Sequence, residues 1–372
     1  RSVTGLYVDR HNRDERVSHA DLSPNHTGCA ASHDFVFANN LDTSRYRAHC
    51  RLLSSRKCRG NNGGGSQRRL GHPGVSGSQG KISQSKLQYH ELMDSTGKGF
   101  AFRLRSYLGY PPVRDALPNT THFALAALQY KSIVPQLITQ NVDGLHHKAL
   151  SGAWDEALMH ERILQLHGTL HKVHCSFGHV TDRDTFQQML SEANPQWKAF
   201  SDDLEATGSQ PRTNPDGDVV LEGVSYNDFV VPNCPSCLLA NRRNSVQKPE
   251  VIFFGESIPK EVKDKSFQII DKCDRLFLLG TTLATFSAFR LLKHALELHK
   301  PVLLLNVGPT RADGLPGVEK LEIPSGLIMR EVAKEVLGSD YSHDSVVQEM
   351  LRSGIIKPPP DDEDDLAPRA AG

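Results

Sequence analysis

The sequence predicts a doubly wound α/β domain built on a parallel sheet, with a second, smaller module inserted into it. Three observations carry this. From Tyr107 onward, short apolar runs alternate with stretches of helical length. Polar residues of ligand-binding type follow several of those runs, at the strand ends where open α/β sheets hold ligands. Between about 175 and 246 the alternation gives way to an irregular stretch rich in Ser, Asn, Pro and Gly.

Residues 1 to about 85 keep no helical or strand period, and Asn61-Asn62-Gly63-Gly64-Gly65-Ser66 has linker composition, so no fold is assigned there. Pro118-Asn119-Thr120 reads as a helix start, and the helix continues through Ala124 to Tyr130. Leu137-Ile138-Thr139 is a short buried strand. After the irregular stretch come a strand over 251–254, a helix over 260–271, a strand over 276–279, a helix over 286–298 and a strand over 302–306.

The 372 residues are 38% hydrophobic, enough for one large domain with a smaller one attached. Formal net charge is zero, which gives no argument for a nucleic-acid or membrane-surface partner. No apolar run approaches the roughly 20 residues of a membrane helix. Seven cysteines do not form a secreted disulfide framework, so a reducing compartment is expected. Locally the charge is uneven: residues 43–90 contain no Asp or Glu but many Arg and Lys, whereas Asp361-Asp362-Glu363-Asp364-Asp365 closes the chain with acid. Both compositions favour solvation over packing. The basic, Ser-rich stretch is also of mitochondrial transit type, with a basic arm as the alternative reading.

Gln140-Asn141-Val142-Asp143 follows the Leu137 strand, and His167 stands between apolar residues and Gly168, where its imidazole could face the same crevice as a base. Each has an ordinary counterpart, turn chemistry for the first and a satisfied core histidine for the second. Gly280-Thr281-Thr282 follows the 276–279 strand and Asn306 ends the 302–306 strand, placing small backbone, hydroxyls and an amide along one sheet edge. Cys234-Pro235-Ser236-Cys237 suits zinc, because two thiolates on one tight turn can occupy adjacent tetrahedral positions. Cys175 is the expected distant ligand. The position three beyond it is Gly178, so the fourth ligand falls to His179, with His174 as a weaker candidate.

The segments TQNVDGLH, LQLHGTL, CPSC, KPEVIFFGE, LFLLGTTLATFSAF and LLNVGPTRAD resemble, in order and approximate spacing, those of the sirtuin family, most closely its mitochondrial class II branch. The resemblance runs from about Tyr107 to Leu337. It implies a Rossmann-type domain with a zinc-binding insert, NAD as cosubstrate, structural zinc, and removal of acyl groups from lysine in protein or peptide substrates. Some members transfer ADP-ribose instead. His167 matches the general base that deprotonates the nicotinamide-ribose hydroxyls. Asn141 and Asp143 match residues holding nicotinamide and its ribose, and Gln140 a ribose contact. Gly280, Thr281 and Thr282 match phosphate and ribose contacts, and Asn306 an adenine-ribose contact. Val251, Ile252, Phe253, Phe254 and Gly255 match the strand that pairs with the substrate peptide, and Cys175, Cys234 and Cys237 match zinc ligands. No Tyr-x-x-Arg pair occurs near 100–105, which speaks against acidic acyl chains.

The implied organisation is residues 1–88 unassigned, 89–174 with 246–340 as the NAD-binding catalytic domain, 175–245 as the zinc insert, and 355–372 as an acidic tail. The implied location is the mitochondrial matrix, with nucleus or cytoplasm as alternatives. One departure is large. The family's Gly-Ala-Gly-x-Ser loop and the Asp-Tyr/Phe-Arg turn after it, which cradle the NAD diphosphate and cap the nicotinamide pocket, are missing, and their place falls within 43–88. A mis-spliced or frame-shifted reading is the preferred explanation, ahead of a true loss or a replacement loop. The rival function is therefore a non-catalytic sirtuin-fold module that binds partners. A Rossmann dehydrogenase leaves the zinc-type insert unexplained.

Overall fold

A computed structural model describes residues 34–38, 97–207, 228–242, 246–253 and 255–354. Phe254, the whole basic stretch over 43–90 and the acidic tail lie outside the described residues. The elements are β1 (Asp34–Ala38), α1 (Gly97–Asp115), α2 (Thr120–Tyr130), β2 (Gln136–Thr139), α3 (Leu145–Leu150), α4 (Glu156–Arg162), β3 (Ile163–Gln165) and β4 (Gly168–Cys175). Next come β5 (Val180–Asp182), α5 (Arg183–Ala193), α6 (Pro195–Thr207), α7 (Pro235–Leu239), β6 (Gln247–Val251), α8 (Lys260–Lys272) and β7 (Arg275–Leu279). The chain continues with α9 (Phe286–Glu297), β8 (Val302–Leu305), β9 (Val318–Leu321), α10 (Ser325–Leu337) and α11 (Ser345–Arg352).

The larger sheet has the order β3-β2-β1-β7-β8-β9. Its inner strands β2, β7 and β8 are buried on both faces, which is why they read as unbroken apolar runs rather than as alternating ones. Phe277, Leu279, Leu303 and Leu305 point to one side, against Leu125 and Leu128 of α2 and Met329 and Val332 of α10. Leu276, Leu278, Val302 and Leu304 point to the other, against Ile269 and Ile270 of α8 and Leu291 and Leu292 of α9. Helices on both faces of one sheet are the doubly wound arrangement that the alternation predicts. Helix α2 begins where expected, because the Asn119 side chain accepts from the backbone N–H groups of Thr121 and His122 at 2.9 and 3.1 Å.

Two expectations need correction. The sheet is mixed: β2 pairs parallel with β3, and β7, β8 and β9 pair parallel with one another, but β1 lies between β2 and β7 antiparallel to both. This strand comes from the region assigned no fold, where five apolar-rich residues are too few to set a period against linker-like surroundings. The strand placed over 251–254 is instead β6, which ends at Val251 and belongs to a separate three-stranded sheet, β5-β4-β6. Its early half, Gln247-Lys248-Pro249-Glu250, is polar in sequence and carries no strand pattern, yet Gln247 and Lys248 are buried against β4. Beyond the last strand read in the sequence, β9 forms the edge of the sheet and α10 and α11 pack against α2.

Candidate active site and metal centre

The C-terminal ends of β2, β7 and β8 bring the expected polar residues to one crevice edge. Gln140 leaves β2 and reaches across the sheet: its Nε2 donates to Thr281 Oγ1 at 3.2 Å, and its Oε1 accepts from Thr285 Oγ1 at 2.9 Å. Thr285 is also the N-cap of α9, its hydroxyl accepting from the Ala288 N–H. Next, Asn141 N–H donates to Thr139 Oγ1, and Asp143 Oδ1 accepts from Leu145 N–H, opening α3 at the left-handed Gly144. The carbonyl of Asp143 lies 2.7 Å from His171 Nε2. Thr281 is buried and Thr282 exposed, and the intervening turn is tight, with Gly280 and Leu283 both at positive φ. Asn306 is buried at the end of β8, with Nδ2 donating to the Val307 carbonyl.

His167 sits at the junction of the two sheets. The Thr139 carbonyl accepts from Leu166 N–H, and the His167 carbonyl accepts from Ile252 N–H, so the backbone on either side is pinned. Gly168 then turns the chain into β4 at φ +78, opposite Val251. The imidazole Nε2 lies 2.8 Å from Ser287 Oγ in the first turn of α9.

Of the segment expected to face a peptide, Val251 closes β6, Ile252 is bonded to His167, and Phe253 enters a turn whose carbonyl accepts from Glu256 N–H. Gly255 is exposed at φ +89. Sequence reasoning passed over Lys248 and Glu256, which brace this turn. Lys248 Nζ donates to the Val251 carbonyl at 2.9 Å and to Glu256 Oε2 at 3.1 Å, and the same oxygen accepts from Phe253 N–H at 3.1 Å. Burial pulls the Lys248 amine below its ordinary value, and the Glu256 carboxylate opposes that shift. The available signal was a Lys followed by a Glu on either side of an apolar run. Thr285 and Ser287 were missed as well, although a Thr opening a helical period is a capping signal.

Cys175, His179, Cys234 and Cys237 converge, and their ligand atoms all lie within 4.8 Å of one another. His179 Nδ1 is 3.5 Å from the Cys175 sulfur, 3.6 Å from that of Cys234 and 3.3 Å from that of Cys237. Ligands about 2.0 to 2.3 Å from a tetrahedral zinc ion are about 3.3 to 3.8 Å apart, so this donor set fits the metal. Cys175 ends β4 and His179 follows a turn through Gly178 at φ +81, while Cys234 and Cys237 flank the start of α7. His174 is outside the cluster, because successive strand residues point to opposite faces and it pairs with Lys248 across the sheet.

For NAD the fit is divided. Carboxamides, a carboxylate and hydroxyls at the ends of β2, β7 and β8 suit an amide and ribose hydroxyls. At mid-sheet, however, β1 runs the other way. Asp34 is level with Thr139 and Leu279, so the chain enters at this edge instead of turning there into a helix N-terminus.

Fold and site together define an α/β protein with a nucleotide-type crevice and an inserted site of three cysteines and one histidine. Residues 83–287 match the Sir2 family model. The "NAD-dependent protein deacylase SIR4" of Batrachochytrium dendrobatidis is 36% identical over 274 residues, covering 72% of this chain and 85% of that protein. A protein of the same name from Monosiga brevicollis is 37% identical over 261 residues, covering 70% and 79%. The "NAD-dependent protein deacylase sir-2.2" of Caenorhabditis elegans is 32% identical over 253 residues, covering 68% and 80%. The chain belongs to the Sir2 family.

Proposed function

We propose that the protein is an NAD-dependent protein-lysine deacylase that transfers an acyl group from lysine to ADP-ribose with release of nicotinamide. The observation that carries this reading is the position of His167. Its ring reaches the first turn of α9, while its backbone is bonded to the Ile252 segment that would face a peptide. A base there stands between the nucleotide side of the crevice and the substrate side. Bound in the crevice, NAD would supply an electrophilic ribose carbon with nicotinamide as its leaving group. Within that frame Asn141 and Asp143 hold the amide and ribose end, Gln140 and Thr281 orient the ribose, and Asn306 receives the second ribose. His167 takes a proton from a ribose hydroxyl at Nε2. Zinc, held by Cys175, His179, Cys234 and Cys237, keeps the insert folded and takes no part in the chemistry.

The test is His167→Tyr, assayed by mass spectrometry of acyl-lysine peptide, O-acyl-ADP-ribose and nicotinamide at saturating NAD. The variant should turn over at least ~100-fold more slowly while melting normally. Activity close to that of the parent would reject the assignment.

The direction of β1 favours a second reading, a sirtuin-fold protein that binds acyl-lysine proteins with little or no turnover. Under that reading peptide binding persists without nicotinamide release. Residence in the mitochondrial matrix is supported by the basic, acid-free stretch over 43–90. Fractionation of cells expressing the full chain decides between the matrix and the nucleus or cytoplasm.

A further inference from the structure

We infer that Ser287 is a positioning residue for His167: its hydroxyl donates to the Nε2 lone pair and holds the imidazole at the α9 side of the crevice. The inference rests on the reading of His167 as base, and nothing in the likeness to relatives assigns Ser287. Its grounds are geometric. The Nε2 to Oγ distance is 2.8 Å, across 120 residues of chain. Ser287 is the second residue of α9, and this helix is anchored beneath the site by Ala288, Leu291 and Leu292, all fully buried. Its N-cap, Thr285, donates to Gln140, which in turn donates to Thr281. One helical turn therefore holds the nucleotide-side carboxamide through Thr285 and the base through Ser287.

The direction of the hydrogen bond follows from the helix. The first turn of α9 carries the partial positive charge of free backbone N–H groups, which favours a lone pair over an N–H on the ring atom facing it. Ser287 is then the donor, and His167 rests in the tautomer protonated at Nδ1. A ribose hydroxyl arriving at Nε2 would replace the serine hydroxyl with a group of the same kind. The exchange leaves the ring where it is. Ser287 thus keeps the base in its reactive form without taking part in proton transfer.

Nitrogen-15 NMR of the full chain, with the His167 signal assigned by its loss in His167→Gln, reads the tautomer without any turnover. The parent should show the Nδ1–H form, Ser287→Thr should keep it, and Ser287→Ala should show a mixture. A parent with its proton on Nε2, or a Ser287→Ala spectrum identical to the parent's, would overturn the proposal. In the assay, Ser287→Ala should lower kcat for deacylation about 5-fold, the effect of one lost neutral hydrogen bond. KM for NAD and the exchange of labelled nicotinamide, which read steps before the base acts, should not change. Ser287→Thr should recover the rate. A fall in kcat accompanied by a raised KM for NAD and slower nicotinamide exchange would mark a structural role and reject positioning. If the parent does not deacylate at all, the functional reading fails, and the tautomer measurement still decides the role of Ser287.

Discussion

Gly168 passes so close to Glu250 that a β-carbon on it would lie 1.8 Å from the Glu250 carbonyl oxygen, at a backbone φ of +78. Only glycine fits there, and the residue before it is His167. The Leu-His-Gly segment is therefore a steric device. The glycine lets β4 and β6 meet, and their meeting sets where the histidine backbone lies.

Gly168→Ala should accordingly destabilise the protein by at least about 2 kcal/mol, combining left-handed strain with a clash against backbone that cannot step aside. Chemical denaturation measures this. A loss below about 0.5 kcal/mol would show that the two strands separate easily, and that the position of His167 does not depend on their contact.

Lys248 should prove structural for the turn after β6 that is proposed to face a peptide. It is nearly fully buried, and its removal leaves the Glu256 carboxylate and the Val251 carbonyl short of a donor. Lys248→Met should cost about 2 to 3 kcal/mol and raise KM for an acyl-lysine peptide more than KM for NAD. Equal changes in both constants would place the bracing elsewhere.

Purified protein should contain one equivalent of zinc. Cys237→Ser should lose the metal and unfold the insert, whereas His179→Ala should retain zinc with weakened affinity. Less than about a tenth of an equivalent in the parent removes the site. Unchanged affinity in His179→Ala removes only the fourth ligand.

NAD should bind weakly to this chain. A helix N-terminus contributes up to about 2 kcal/mol to holding an anion, roughly 30-fold in affinity, and the antiparallel β1 brings none to mid-sheet. Calorimetric titration of the full chain is the measurement. A low-micromolar dissociation constant would contradict the expectation and point to another phosphate cradle. Rescue of weak binding by a grafted Gly-Ala-Gly-x-Ser turn would support it.

Much of this was legible in sequence because it is local. Leu276-Phe277-Leu278-Leu279 and Val302-Leu303-Leu304-Leu305 announce strands buried on both faces, Asn119 caps its own helix, and Cys234 and Cys237 lie on one turn of chain. The acyclic order of polar residues after those strands also pointed to one crevice edge, since parallel strands place their C-terminal ends together.

What the tertiary structure alone decided is long-range pairing. The 2.8 Å contact of His167 with Ser287 and the bridge from Gln140 to Thr281 and Thr285 join residues more than a hundred positions apart, which no local period encodes. The burial of Lys248 depends on β4 lying across a strand whose own sequence is polar. The direction of β1 is the clearest case. A strand's alternation of side chains is the same read forward or backward, so sequence by itself determined the apolar runs of β2, β7 and β8, whereas both the existence of β1 and its direction against its neighbours were decided only by pairing.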